Sequence, residues 1–174
     1  MKKLLWFERQ FTFGCPAAML PFYLERLEGT IIRLEEKVKG FPEEILSTKL
    51  NTKWSVKQNI GHLAEVDQIA SRRIDEILGG VSPLSPAVFE PGGDYNRQPV
   101  DQVIAFFSDH RKNNLVKYRS LMESDLQKSS LHPRLKLQVT PVDLAWFDAE
   151  HDDHHLVTIN ELLKVLSPAA VKSW

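Results

Sequence analysis

Thr140-Pro-Val-Asp-Leu-Ala-Trp-Phe-Asp-Ala-Glu-His-Asp-Asp-His-His-Leu-Val-Thr-Ile-Asn-Glu-Leu-Leu-Lys-Val-Leu166 decides how the rest of this chain is read. Advancing 100° per residue, as an α-helix does, Leu144, Asp148, His151, His155, Ile159, Leu162 and Leu166 fall on an arc less than about 90° wide. Thr140 suits an N-cap, Pro141 the first turn, and Pro168 follows the end. A helix over 141–166 is therefore expected, with a core-facing stripe that carries two imidazoles one turn apart. Burying both without partners is costly. Spacing alone leaves two solutions open, a hydrogen-bonded core pair and a pair of metal ligands. His154 lies to one side of the arc and ranks below His155 as a ligand. Asp152 and Asp153 stand between the histidines, so the H-E-x-x-H motif of metalloproteases is not present.

Three further helices follow from apolar periodicity and end signals. One spans about Pro21 to Lys39, with Leu24, Leu27, Ile31, Leu34 and Val38 on one face and Gly40 as its stop. A second spans about Ser55 to Leu78, with a capping-box pattern at Ser55 and Gln58 and a Gly79-Gly80 end. A third spans about Pro99 to Glu123, where Val103, Phe107 and Leu121 share a face. Residues 81–98 are rich in Pro and Gly and long for a bundle connection, which suits a crossover or a segment covering a site. Residues 124–139 are irregular, with a short alternating run at 135–139. Residues 1–15 read as an apolar, aromatic arm. The expected fold is all-α, a four-helix bundle with long crossover connections, forming one domain over 1–174.

A third ligand must come from another helix. His62 leads, although it sits near the edge of the stripe formed by Val56, Ile60, Leu63, Val66, Ala70, Ile74 and Ile77. Gly61 beside it suits close helix approach. His110 is the rival and reads as a polar core residue or a group that supports a ligand; His132, before Pro133, reads as structural. Among carboxylates, Asp148 shares the histidine arc and is favoured as an orienting or acid–base group, with Asp67 second. Glu65 and Glu150 read as solvated.

Composition sets outer limits. Of 174 residues, 43% are hydrophobic and 26% charged, which is ordinary for a globular protein. The formal charge of −1 provides no basic excess for nucleic acid. Interspersed charges such as Leu34-Glu35-Glu36-Lys37 suit a solvated helix face. One cysteine, Cys15, cannot form an intramolecular disulfide, which fits a reducing cytoplasm. Glu8 and Arg9 interrupt the apolar N-terminus too early for a secretory signal, and no run is long enough to span a membrane.

Two blocks then carry a resemblance across nearly the whole chain. One is Trp54-Ser55 with Gly61-His62-Leu63-Ala64-Glu65-Val66-Asp67. The other is His132-Pro133, Thr140-Pro141-Val142-Asp143-Leu144 and His151-Asp152-Asp153-His154-His155-Leu156. A weaker block is Asp94-Tyr95-Asn96. Together they resemble the DinB/YfiT-like superfamily of bacterial metal-binding four-helix bundles. The resemblance, and not helix geometry, completes a metal triad of His62, His151 and His155. Family members often carry glycine just before the threonine, where Gln138 and Val139 stand here.

That resemblance implies a divalent ion, with zinc, nickel and iron all suited to three imidazoles and open positions. It also implies a cytoplasmic homodimer acting on a small-molecule substrate, without nucleic acid or membrane. The implied activities are a metal-dependent hydrolase or a transferase using a low-molecular-weight thiol. The alternative is a non-catalytic, metal-containing binding or stress-response protein.

Overall fold

The computed structural model describes residues 3–87 and 90–168. Residues 1–2 of the expected arm, 88–89 of the long loop and 169–174 lie outside them. Five α-helices appear in the order α1 (Leu20–Val38), α2 (Glu43–Ser47), α3 (Val56–Leu78), α4 (Val100–Arg119) and α5 (Pro141–Leu166). Strands β1 (Ser130–Leu131) and β2 (Gln138–Val139) pair antiparallel, Ser130 opposite Val139. No helix among the described residues is long and apolar enough to cross a membrane.

The helix ends follow local chemistry. Ser55 accepts from the Gln58 backbone N–H, and the Gln58 side chain accepts from Ser55 N–H, both at 3.1 Å. Thr140 and Asp143 form the same reciprocal box. α3 closes in a Schellman arrangement: Val81 N–H donates to Glu76 O, Gly80 N–H donates to Ile77 O, and Gly80 supplies φ +73°. Two expectations shift at α4. Pro99 is its extended N-cap and not its first residue. The helix stops at Arg119, not near Glu123, because Asp125 accepts the Met122 N–H and turns the chain there. Leu121 still packs on the core from beyond the helix end. Gln138 and Val139, which depart from the glycine that the resemblance implies there, belong to β2.

α1 and α3 each pack along both α4 and α5, so they occupy opposite corners of a four-helix bundle, as do α4 and α5. The connections α1–α3 and α4–α5 therefore cross the bundle. The 81–98 loop joins the adjacent helices α3 and α4, so it is no crossover; Pro86, Ala87 and Glu90 instead wall the cavity described below.

Two apolar layers fill the bundle. One contains Leu34, Val56, Ile60, Leu63, Phe107 and Ile159; the other contains Leu24, Leu27, Ile74, Leu115, Leu144 and Ala145. Between them lies a belt of buried polar side chains: Thr30 of α1, Asp67 of α3, Arg111 and Asn114 of α4, and Asp152 of α5. Arg111 Nε lies 3.0 Å from both Asp67 carboxylate oxygens. Its Nη1 donates to Leu27 O at 2.8 Å and to Asp152 Oδ2 at 2.5 Å, and its Nη2 donates to Asp152 Oδ1 at 3.0 Å. Thr30 donates to Asp152 as well. One guanidinium thus ties all four long helices together at mid-height. The arm packs Trp6 and Phe11 against Phe147 of α5 in a small aromatic cluster.

Candidate metal centre

The 151–155 run divides among several structures. Asp152 joins the Arg111 knot, and Asp153 pairs with Arg26 and Arg33 of α1. His154 is half-buried beside Trp6. His151 and His155, one turn apart, face His62 of α3. The structure brings these three together, with one nitrogen of each lying within 4.8 Å of the others. His151 Nε2 and His155 Nε2 are 3.1 Å apart. All three side chains are buried.

The proton on His155 can be placed. Asn59 Nδ2 donates to Ser55 O at 2.8 Å, which fixes the amide and turns its Oδ1 toward His155 Nδ1 at 2.7 Å. Nδ1 must then carry the proton, leaving Nε2 with a bare lone pair aimed at His151. Sequence reading did not find Asn59. Its one trace there is a position three residues before His62, the helical spacing of a neighbour on the same face.

Aromatic rings confine the imidazoles. Trp54 lies parallel to His155 at 6.1 Å and packs on His62 at 4.8 Å, while Trp6 meets His151 edge-on at 4.9 Å. Burial pushes His62 down to about 4 from an ordinary 6.5, and holds His151 and His155 well below their usual range. Neutral imidazole is the form that binds metal.

The remaining site expectations resolve individually. Asp148 is buried on the cavity wall, and burial pushes its carboxyl well above the usual range. It accepts no imidazole N–H: Asn59 takes that of His155, and among the described residues Nδ1 of both His62 and His151 has no hydrogen-bond partner, the Glu65 carboxylate lying 4.0 Å from His62 Nδ1. Asp67 is held by Arg111 and Asn114 and is not among the residues lining the histidine cavity. Glu65 is no solvated residue; its Oε1 accepts from Gly92 N–H, Gly93 N–H and the Tyr95 hydroxyl, anchoring the loop. Glu150 bridges Arg9 and Arg26. His110 is no core residue; it pairs with Gln68 and Phe106 away from the site. Gly61 makes room for the Tyr95 ring, which a Cβ there would overlap, and not for another helix. Cys15 is part-buried near Tyr23.

The histidines form part of the lining of a cavity of about 1180 Å³ whose walls include Trp6, Trp54, Val66, Ile69 and Phe147. The residues fit a divalent ion. Two Nε2 atoms 3.1 Å apart match ligands about 2.0–2.1 Å from a shared ion. A neutral donor set of three nitrogens, one oriented by an amide, leaves further positions facing the cavity.

Residues 26–159 match the family model of the DinB superfamily. No curated protein matches the chain. Among solved structures, YfiT from Bacillus subtilis is described as "a probable metal-dependent hydrolase with an unusual four-helix bundle topology". It superposes with a TM-score of 0.77 at 17% identity, covering 91% of this chain and 93% of that one. That likeness establishes the bundle fold.

Proposed function

The chain belongs to the DinB superfamily, and on that premise we propose that it is a metal-dependent hydrolase of a small-molecule substrate, with a divalent ion held by His62, His151 and His155. One observation carries this reading: three buried neutral imidazoles converge on the wall of a cavity large enough for a ligand. A structural ion would instead be enclosed by four protein ligands. Zinc, nickel or iron bound there supplies Lewis acidity toward a carbonyl or similar centre. The protein's own contributions are separate. Asn59 fixes the His155 tautomer, and Trp6 and Trp54 keep water from the imidazole faces. Asp148, whose carboxyl burial pushes well above the usual range, offers an acid–base group on the cavity wall.

The cavity volume favours one second reading. About 1180 Å³ exceeds what a single small ligand usually occupies, leaving room for a low-molecular-weight thiol beside an electrophile, and so for thiol S-transfer. Metal analysis of purified protein beside His62→Ala and the double variant His151→Ala/His155→Ala tests the ligands. Stoichiometric metal in the wild type and none in the variants is expected; metal that persists in the variants would overturn the assignment. Ester and amide substrates, and thiols paired with electrophiles, then separate hydrolase from transferase. Absence of metal-dependent turnover in both screens would favour a non-catalytic binding protein.

A further inference from the structure

His62, Val66, Ile69 and Arg73 recur along α3 at spacings that keep them within about 60° of one helix face, and all four line the cavity. The axial rise from His62 to Arg73 is about 16 Å. The cavity therefore has imidazoles toward one end, a guanidinium toward the other, and between them an apolar stretch of α3 with the Asp148 carboxyl also on the wall.

Arg73 is 5% exposed and poorly satisfied. Its Nη2 donates to Ser85 O at 3.3 Å, and among the described residues its Nε has no hydrogen-bond partner. Among the described residues, no carboxylate oxygen comes within 4.0 Å of its nitrogens. Asp148 and Glu76 attract it from beyond that distance, and Glu76 is engaged by Ser85 and Arg72. Desolvating a cation without a contacting counter-charge is costly.

Its neighbour makes the case sharper. His132 Nδ1 accepts the backbone N–H groups of Arg134 and Leu135 at 3.3 and 3.1 Å. The imidazole proton is therefore on Nε2, which faces Arg73 Nη1 at 3.5 Å. Both atoms are donors, and neither satisfies the other. Two donors brought together on the wall of a cavity await a shared acceptor. Arg134, also lining the cavity, adds a second positive charge.

We propose that Arg73 and His132 form a subsite for a carboxylate on the substrate, so that the ligand is a small molecule with an anionic end, an apolar middle and a reactive group directed to the histidines. This rests on the reading of the cavity as a substrate site, but not on the presence of the ion. A planar carboxylate can accept from the guanidinium and the imidazole at once, which a neutral group of similar shape does less well.

Calorimetric titration of the purified protein with phenylbutyrate and with phenylbutanol tests the subsite. The acid should bind at least about tenfold more tightly than the alcohol. Arg73→Gln should abolish that preference with metal content unchanged, and His62→Ala should retain it whether or not metal is bound. Equal affinity for the two probes in the wild type would overturn the proposal. So would a preference kept in Arg73→Gln but lost in His62→Ala, because the ion would then be holding the carboxylate. Loss in both variants would do the same, since the subsite is argued to act without the ion. Where Arg73→Gln does not fold, Arg73→Lys keeps the charge without the planar fork. It should weaken the preference by about threefold or more, and an unchanged preference would count against the subsite. Metal absent from the wild type with the preference intact would sink the metal reading and leave the subsite standing.

Discussion

Two buried polar clusters meet at His151 and Asp152, adjacent residues of α5, and they are built on opposite terms. Around Asp152 and Asp67, the Arg111 guanidinium is met by two carboxylates and the Leu27 carbonyl, while Thr30 and Asn114 add further bonds. Around His151, two imidazole Nδ1 atoms lack partners and two Nε2 atoms point at each other. Charge paired with charge fixes the mutual positions of four helices. Neutral nitrogens left facing one another hold a place for something else. Buried polarity therefore signals a ligand site only where the hydrogen-bond ledger is left open.

Acid should separate the two clusters most strongly. In the unfolded chain a histidine takes up a proton near 6.5, whereas folded His62 refuses one until about 4. Between those values the unfolded state binds more protons, so the histidine contribution is full above about 6.5 and falls as pH drops toward 4. For His62 alone that gap is worth roughly 3 kcal/mol. His151 and His155 act in the same direction, as do the buried His132 and the half-buried His154. Asp67 and Asp148 act in the opposite direction. Burial raises the Asp67 carboxyl from 3.8 to about 6 and the Asp148 carboxyl well above its usual range, so their folded forms gain a proton first and offset part of the loss as pH falls. Urea midpoints of metal-free protein should fall steeply between pH 7 and 4.5; a flat profile would remove the distinction.

Breaking the charged knot should cost nearly as much. Arg111→Ala leaves Asp67 and Asp152 buried without their cation, a loss of about 3–5 kcal/mol in unfolding free energy. His62→Ala, measured without metal, removes a side chain that already lacks a partner at Nδ1. It should cost distinctly less than Arg111→Ala in the same urea titration. Comparable losses would mean that the imidazoles brace the bundle as the guanidinium does.

The two clusters also differ in how far the sequence discloses them. Periodicity places His151 and His155 on the inward face of α5, and the Ser55–Gln58 cap pair, the Thr140 N-cap and the Gly79-Gly80 stop mark helix ends that the structure keeps. His62 sat near the edge of the α3 stripe because α3 has two buried faces. One, through Ile60, Leu63 and Ile74, meets the core; the other, through His62, Val66, Ile69 and Arg73, meets the cavity. A single apolar stripe cannot register a cavity wall that mixes aliphatic and polar residues. Family resemblance supplied what that pattern lacked. The knot had no comparable local signal: an arginine in a helix reads as solvated, and its carboxylate partners lie 44 and 41 residues away. Glu65 was misread for the same reason, since its acceptors' partners, Gly92, Gly93 and Tyr95, belong to a distant loop.

Asn59 gives the smallest test and the most specific one. Its amide is the point at which the open cluster borrows the logic of the satisfied one: Nδ2 is spent on Ser55 O, so Oδ1 can only accept, and His155 can only donate from Nδ1. Asn59→Leu keeps the approximate volume and removes that acceptor. His155 Nδ1–H would then be buried without a partner, or the proton would move to Nε2 and occupy the lone pair meant for the ion. Either change should weaken metal binding by about 10- to 100-fold, the scale found when a ligand histidine loses its orienting partner. Asn59→Asp, which restores an acceptor, should recover most of the affinity. Competitive titration against a chelator of known affinity reads the change, and circular dichroism checks that the helices persist. Unaltered affinity in Asn59→Leu would show that the imidazole is oriented by its aromatic packing against Trp54 instead, and the amide would belong with the structural polar groups of the bundle.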